Sequence, residues 1–242
     1  MLGLLARHGG PMPAGRIAVE LGLARSTTYR LLDVLIARGY VVHLPEQRRF
    51  ALGVAAFELG SAYSRQGSVQ RAARPLLAHL SSSCEQNAHL AILHGTDVLY
   101  LIEQRFPGRP SLVSDVGVRL PAALTASGLA ILAHLPSAQV RAVFGSADAF
   151  VQRHGLGPTS LSALRTLLTQ TRQREYAVEV DSVTAGLSSV AVAVLDNSGY
   201  PVAAVTVTFA ASPGDGIPPG LVPAVTECAG AVSRRLNGRP AL

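Results

Sequence analysis

Residues 14–53, AGRIAVELGLARSTTYRLLDVLIARGYVVHLPEQRRFALG, constrain the fold of this chain more than any other stretch. Two helical patterns meet at a turn of Leu21, Gly22 and Leu23. The first, Pro13 to Leu21, sets Ile17, Ala18 and Leu21 on one face and has no polar residue to cap its start. The second, Arg25 to Arg38, repeats Thr28, Leu31, Leu32 and Leu35 at helical spacing, and Gly39 supplies its stop. Val41–Leu44 and Arg49–Leu52 then pair as strands across Pro45-Glu46-Gln47-Arg48. Helix, turn, helix and hairpin in that order make a winged helix-turn-helix, mainly α. Its common use is to lay a short helix in the major groove of double-stranded DNA. Met1 to Arg7 looks like the end of a preceding helix, closed by Gly9 and Gly10 with Pro11 beyond. About two turns is short for a first helix, so a segment upstream of Met1 is expected.

With Thr28, Leu31 and Leu35 facing inward, Ser26, Arg30 and Asp33 face outward, and Arg25, Thr27 and Tyr29 flank them. The N-terminal part of such a helix meets base edges. Arg30 is the first candidate for a bidentate guanine contact, and Arg25 the second. Ser26 and Thr27 suit phosphate, through their hydroxyls and the free amides of the first turn. Arg48 and Arg49 at the wing tip suit phosphates or the minor groove. Two other readings stay open on these residues: solvated charges on a small helical domain, and a winged helix that binds protein. The charge distribution favours DNA. Residues 1–65 carry eight Arg against Glu20, Asp33, Glu46 and Glu58, a net +4, whereas residues 66–242 carry thirteen Arg against eleven acids, a net +2.

All 21 basic residues are Arg, so Schiff-base, P-loop-lysine and lysine-base chemistry are excluded. Cys84 and Cys228 are too few for a disulfide framework or a CxxC metal site and read as buried thiols. The 242 residues suit one or two domains. No apolar run approaches the ~18 residues of a membrane span, and MLGLLARHGG is no secretory signal, so the expected location is cytoplasmic, with no membrane partner.

The spacing divides the chain into the winged helix at 1–53, a linker helix at 54–67 (helical over Val54 to Tyr63) and a larger domain at 68–242. In the last, helices are predicted over Val69–Ser82, Thr125–His134, Ser137–Phe144, Leu161–Arg174 and Leu221–Leu236. Ala88–Leu93 and Val98–Glu103 form a hairpin over His94-Gly95-Thr96-Asp97. Leu187–Leu195 and Tyr200–Phe209 form another over Asp196-Asn197-Ser198-Gly199. Helices and antiparallel hairpins are segregated, which gives an α+β class.

If Leu195 pairs with Tyr200, Ser189 lies opposite Thr206 and Ala191 opposite Ala204. One face of the late hairpin then carries Val190, Val192, Val194, Val205, Val207 and Phe209. The other carries Ser189, Ala191, Ala193, Ala204, Thr206 and Thr208, all small, three with hydroxyls. Such a face either packs closely on a helix or leaves room for a polar ligand, and the residues leave both open. Thr125 can cap a helix whose first amides, at Ser127, Gly128 and Leu129, favour a carboxylate. No G-x-S-x-G, HExxH or GxGxxG occurs, His89 and His94 show no acidic partner at useful spacing, and no catalytic set, metal site or cofactor is expected.

The chain resembles the IclR family of bacterial transcriptional regulators. The resemblance rests on IAVELGLARSTTYRLLDVLIARGYV and RRFALGVAAFELGSAY, and in the larger domain on GVRLPAALTASGLAILA, YAVEVDSVTAGLSSVAVAV and GYPVAAVTVT. It implies a winged helix joined by a linker helix to a GAF/profilin-like effector-binding domain. It also implies dimers, or pairs of dimers, on palindromic operators. In relatives a small organic acid lies between the helix start matching Ser127, Gly128 and Leu129 and side chains matching Glu179, Ser189, Thr206 and Thr208. Leu129, Ala123 and Ala193 stand where the family usually has Lys, His and Pro. Glu179 would repel a bare carboxylate and accept a hydrogen bond from a hydroxyl, which favours a hydroxy acid as effector. Two alternatives remain: a catalytic small-molecule domain fused to the DNA-binding module, and a ligand-independent regulator acting through oligomerisation.

Overall fold

The structure, a computed structural model, describes residues 1–59, 67–110, 112–211 and 216–236. It divides into two compact units, Met1–Gly67 and Ser68–Leu242.

The first unit opens with α1 (Leu2–His8), which ends on Gly9 in the left-handed region at φ 70°. Short as it is, α1 buries Leu4 and Leu5. The helix α2 (Ala14–Leu21) starts after Pro13 with no side-chain cap. It stops at Gly22, φ 63°, where the amides of Gly22 and Leu23 return to Val19 and Ala18 carbonyls. The glycine is needed because that left-handed turn strains any residue with a Cβ.

In α3 (Arg25–Ala37) only Thr28 and Leu32 are buried. Leu31, expected to face inward, is 43% exposed. It falls on the rim of a stripe that a three-helix unit is too small to cover fully. The strands β1 (Val41–Leu44) and β2 (Arg49–Leu52) pair in the expected register, Leu44 with Arg49 and Val41 with Leu52. A feature not foreseen is that Met12 and Phe50 exchange both backbone bonds, at 2.9 and 2.8 Å. This ties the wing to the segment between α1 and α2. Leu4, Leu5, Met12, Ile17, Leu32, Val41 and Phe50 form the core. The helical segment 54–59 follows, and the rest of the expected linker helix lies outside the described residues up to Gly67.

The second unit is built on one antiparallel sheet in the order β5-β4-β3-β8-β7-β6. Its strands are β3 (Asn87–His94), β4 (Asp97–Gln104), β5 (Arg119–Pro121), β6 (Ala177–Val180), β7 (Leu187–Leu195) and β8 (Pro201–Ala210). One face packs on α4 (Ser68–Cys84) and α8 (Leu221–Leu236) through Val190, Val194, Val205, Val207 and Phe209. The other packs on α5 (Ala126–His134), α6 (Ser137–Val143) and α7 (Leu161–Arg174) through Ala91, Ala191, Ala193 and Ala204. The all-apolar and the small-residue faces of the late hairpin thus fall as the alternation requires.

Three sequence expectations change. The hairpin pairs Leu195 with Pro201, not Tyr200, and sets Ser189 opposite Thr208 and Ala191 opposite Thr206. Asp196 causes the shift. Its carboxylate accepts the amides of Ser198 and Tyr200 at 2.8 and 3.0 Å, which closes a wider loop and forces a bulge at Val194/Leu195. A shift of two residues keeps parity, so the faces survive although the partners change. The strands β5 and β6 have three and four residues, too short for the alternation to register. Finally, Cys84 is half-buried, whereas Cys228 is buried and burial pushes its thiol up to about 12, leaving it unreactive.

Candidate functional site

In the first unit Arg25, Ser26, Thr27, Tyr29 and Arg30 are all exposed on the first half of α3. The cap residue is Ala24, which offers no side-chain acceptor. The amides of Arg25, Ser26 and Thr27 are therefore open first-turn donors. A Cβ built on Gly15 would stand 3.9 Å from the Arg25 guanidinium, so Arg25 lies back along α2. Arg30 points free of both neighbouring elements, as its exposure shows. Tyr29 meets Phe50 of the wing edge-on at 6.4 Å, joining α3 to β2. Arg48 is exposed at the wing tip with φ 51°, and Arg49 donates to the Pro11 carbonyl at 3.3 Å while staying exposed.

The second unit holds a small pocket, partly open to solvent, between the sheet, the start of α5 and the segment 112–114. Ser127, Glu179, Ser189, Thr206 and Thr208, five of the expected site residues, line it. They come from α5, β6, β7 and β8, and the sheet order β8-β7-β6 sets them side by side. The Ser127 and Thr206 hydroxyls are 2.8 Å apart, and those of Ser189 and Thr208 are 3.0 Å apart. Glu179 sits opposite Ser189 in register. Its Oε1 accepts the amides of Ser182 and Val183 at 2.7 and 3.0 Å. Burial pushes the Glu179 carboxyl above the ordinary range, with those amide bonds pulling partly back.

Gly128 and Leu129 do not reach this cavity. Thr125 caps α5 as expected, and its hydroxyl takes the Gly128 amide at 3.0 Å, while the Leu129 amide goes to the Thr125 carbonyl. Gly128 is instead pressed on the turn 122–124, where a Cβ would overlap the Ala122 backbone. Leu129 lines a separate apolar recess beside Leu124 and Leu167. The open first-turn amides are those of Ala126 and Ser127, and both residues line the cavity.

Sequence reasoning missed Tyr100 and the segment Leu112–Ser114. Tyr100 is buried, and burial pushes its phenol up to about 12, so it remains a neutral hydroxyl beside Ser127. A tyrosine between apolar residues of a core strand needs such a partner, and that was the available signal. His89 also proves to have an acidic partner. The β3–β4 register sets it opposite Glu103, with Nε2 3.9 Å from Oε1. Ser114 Oγ meets the same Nε2 at 3.2 Å. Burial raises the Glu103 carboxyl, but nearby His89 and the bonded Arg105 outweigh it and hold it below the usual range. Serine and carboxylate converge on one ring nitrogen and do not bracket the ring, so no Ser-His-Glu relay forms. Among the described residues no group of three or more His, Cys, Asp and Glu side chains is placed to hold a metal, and no helix is long and apolar enough to cross a membrane.

A winged helix-turn-helix beside an α+β unit with a lined polar cavity defines a DNA-binding regulator with an effector domain. Comparison with known proteins agrees. Residues 1–45 match the IclR helix-turn-helix domain, and residues 61–234 match the family described as bacterial transcriptional regulator IclR C-terminal. This chain therefore belongs to the IclR family of transcriptional regulators. It is 32% identical over 241 residues to the glycerol operon regulatory protein of Streptomyces coelicolor, covering 98% of this chain and 93% of that protein. It is 28% identical over 215 residues to the transcriptional repressor AllR of Klebsiella pneumoniae, covering 88% and 78%. Among solved structures, the IclR regulator of Alicyclobacillus acidocaldarius superposes with a TM-score of 0.81 at 25% identity, over 98% of this chain and 95% of that one. An IclR homologue of Microbacterium hydrocarbonoxydans, complexed with 4-hydroxybenzoate, shares the fold at a TM-score of 0.78 and 23% identity, over 93% and 91%.

Proposed function

We propose that this regulator acts as a homo-oligomer on palindromic operator DNA in the cytoplasm, and that a small hydroxy acid bound in the second unit modulates it. The carrying observation is that Ser127, Glu179, Ser189, Thr206 and Thr208 converge on one cavity with the open amides of Ala126 and Ser127. The amides suit the ligand carboxylate. The hydroxyl pairs can each accept and donate, and Oε2 of Glu179 can accept a ligand hydroxyl. The 4-hydroxybenzoate held by the Microbacterium homologue is itself a hydroxy acid, which supports this class. Residues 1–53 serve as the reading head, with residues 54–67 as the link to the effector unit 68–242. Occupancy would favour one relative placement of the two winged helices in the oligomer, and so change their match to two half-sites.

The test is a thermal-shift screen of organic acids on the full chain. A binder at a hundred times its Kd adds about 2.7 kcal/mol of stability. That stabilisation should vanish in Ser189→Val with Thr206→Val, which removes one member of each hydroxyl pair. No stabilising acid in a broad panel, or the same shift in the double variant, would contradict the reading. Turnover of the bound acid would favour a catalytic domain instead. An oligomer that binds DNA identically with every acid would favour control by assembly alone.

A further inference from the structure

The cavity holds a buried carboxylate and, among the described residues that line it, no Arg and no His. Its other polar groups are hydroxyls and the amides at the start of α5. Glu179 also forms part of the wall of the apolar recess behind it, whose remaining lining from α5 and α7 is uncharged as well. The titratable groups that face Glu179 are Asp181 just beyond β6, which disfavours its charge, and Tyr100 of β4, which stays a neutral hydroxyl. The Asp181 carboxylate accepts the Gly186 amide at 2.7 Å. Among the described residues that line the pocket, no cation is therefore in place to offset a second negative charge.

Glu179 itself lines the pocket, so an anion bound there lies within roughly 9 Å of its carboxylate. At that range, and at the effective dielectric of a partly buried site, like charges weaken binding on the order of tenfold or more. One proton removes the conflict. The Ser182 and Val183 amides both use Oε1, which leaves Oε2 as the atom to carry a hydrogen. Glu179 then turns from a repelling acceptor into a donor.

We propose that an anionic effector enters this cavity together with one proton taken from bulk water and held on Oε2 of Glu179, so that effector affinity follows pH. This rests on the reading of the cavity as the effector site. The sign follows from linkage. The anion raises the pKa of Glu179 further, so between its free and bound values binding takes up a proton. In that window affinity rises about tenfold for each unit that pH falls, and outside it the profile is flat.

The experiment is isothermal titration calorimetry of the full chain with 4-hydroxybenzoate, in two buffers of different ionisation enthalpy. Its amide, 4-hydroxybenzamide, serves as the uncharged control. The expected result is uptake approaching one proton for the acid and none for the amide. Glu179→Gln keeps an oxygen for the Ser182 and Val183 amides and imitates the protonated state. It should abolish the uptake and bind the acid more tightly than wild type at about pH 8, on the order of tenfold. Acid binding with no proton uptake and a flat pH profile would overturn the proposal and leave the cavity reading intact. So would uptake that persists in Glu179→Gln. Failure of both compounds, and of every acid in the thermal-shift panel, to bind would overturn the cavity reading itself.

Discussion

Gly128→Ala is expected to destabilise the second unit by about 3 kcal/mol, at the upper end for overpacking a core. The added Cβ would stand 2.1 Å from the carbonyl oxygen and 2.5 Å from the Cα of Ala122. Both are backbone atoms of the turn 122–124, so no side chain can rotate aside. Nor can α5 retreat, because eight of its nine residues are buried. The strain also moves Ser127, whose hydroxyl meets Thr206, so effector binding should weaken with stability. Urea denaturation followed by circular dichroism checks this, with Gly10→Ala as control because its Cβ meets open space. A loss under 1 kcal/mol would mean that the turn and α5 are not packed as described.

Arg30→Ala should cost about 1–3 kcal/mol, roughly fivefold to 150-fold, on the preferred operator and much less on random DNA. Arg30 is exposed on the outward face of α3, while Thr28 and Leu32 hold that helix to the core. Truncation therefore removes a contact without a cavity. Arg49 differs: it braces the wing on the Pro11 carbonyl and lies at the hairpin's end. Arg49→Ala should weaken all sequences alike and flatten the salt dependence by about one ion. Fluorescence anisotropy on the operator and on a scrambled duplex, across a salt series, reads both effects. Equal losses on the two duplexes for Arg30→Ala would remove its base-reading role.

What the sequence made legible was whatever a local period or a special backbone angle encodes. The Gly22 turn, the wing register from Leu44 to Arg49, and α7 and α8 follow from glycine conformation and from the 3.6 and 2 periods. The faces of the late hairpin followed too, because parity survives a shift of two. What stayed hidden depends on contacts far apart in the chain. His89 meets Glu103 only through strand register, Tyr100 meets Ser127 only through the packing of α5 on the sheet, and Met12 joins the wing from before α2. Gly128 packs on Ala122 and not on the pocket for the same reason: a glycine at a helix start suits close approach by a ligand or by backbone, and only the placement of Ala122 decides between them.

The most direct measurement joins the two units. DNA fragments retained by the purified full chain from a random pool are sequenced, and affinity for the recovered site is measured with and without a stabilising hydroxy acid. The expected result is enrichment of an inverted repeat, and an affinity that changes about tenfold with the acid in wild type but not in Ser189→Val with Thr206→Val. No enriched sequence, or an acid response undiminished in the double variant, would contradict control of DNA binding from this cavity.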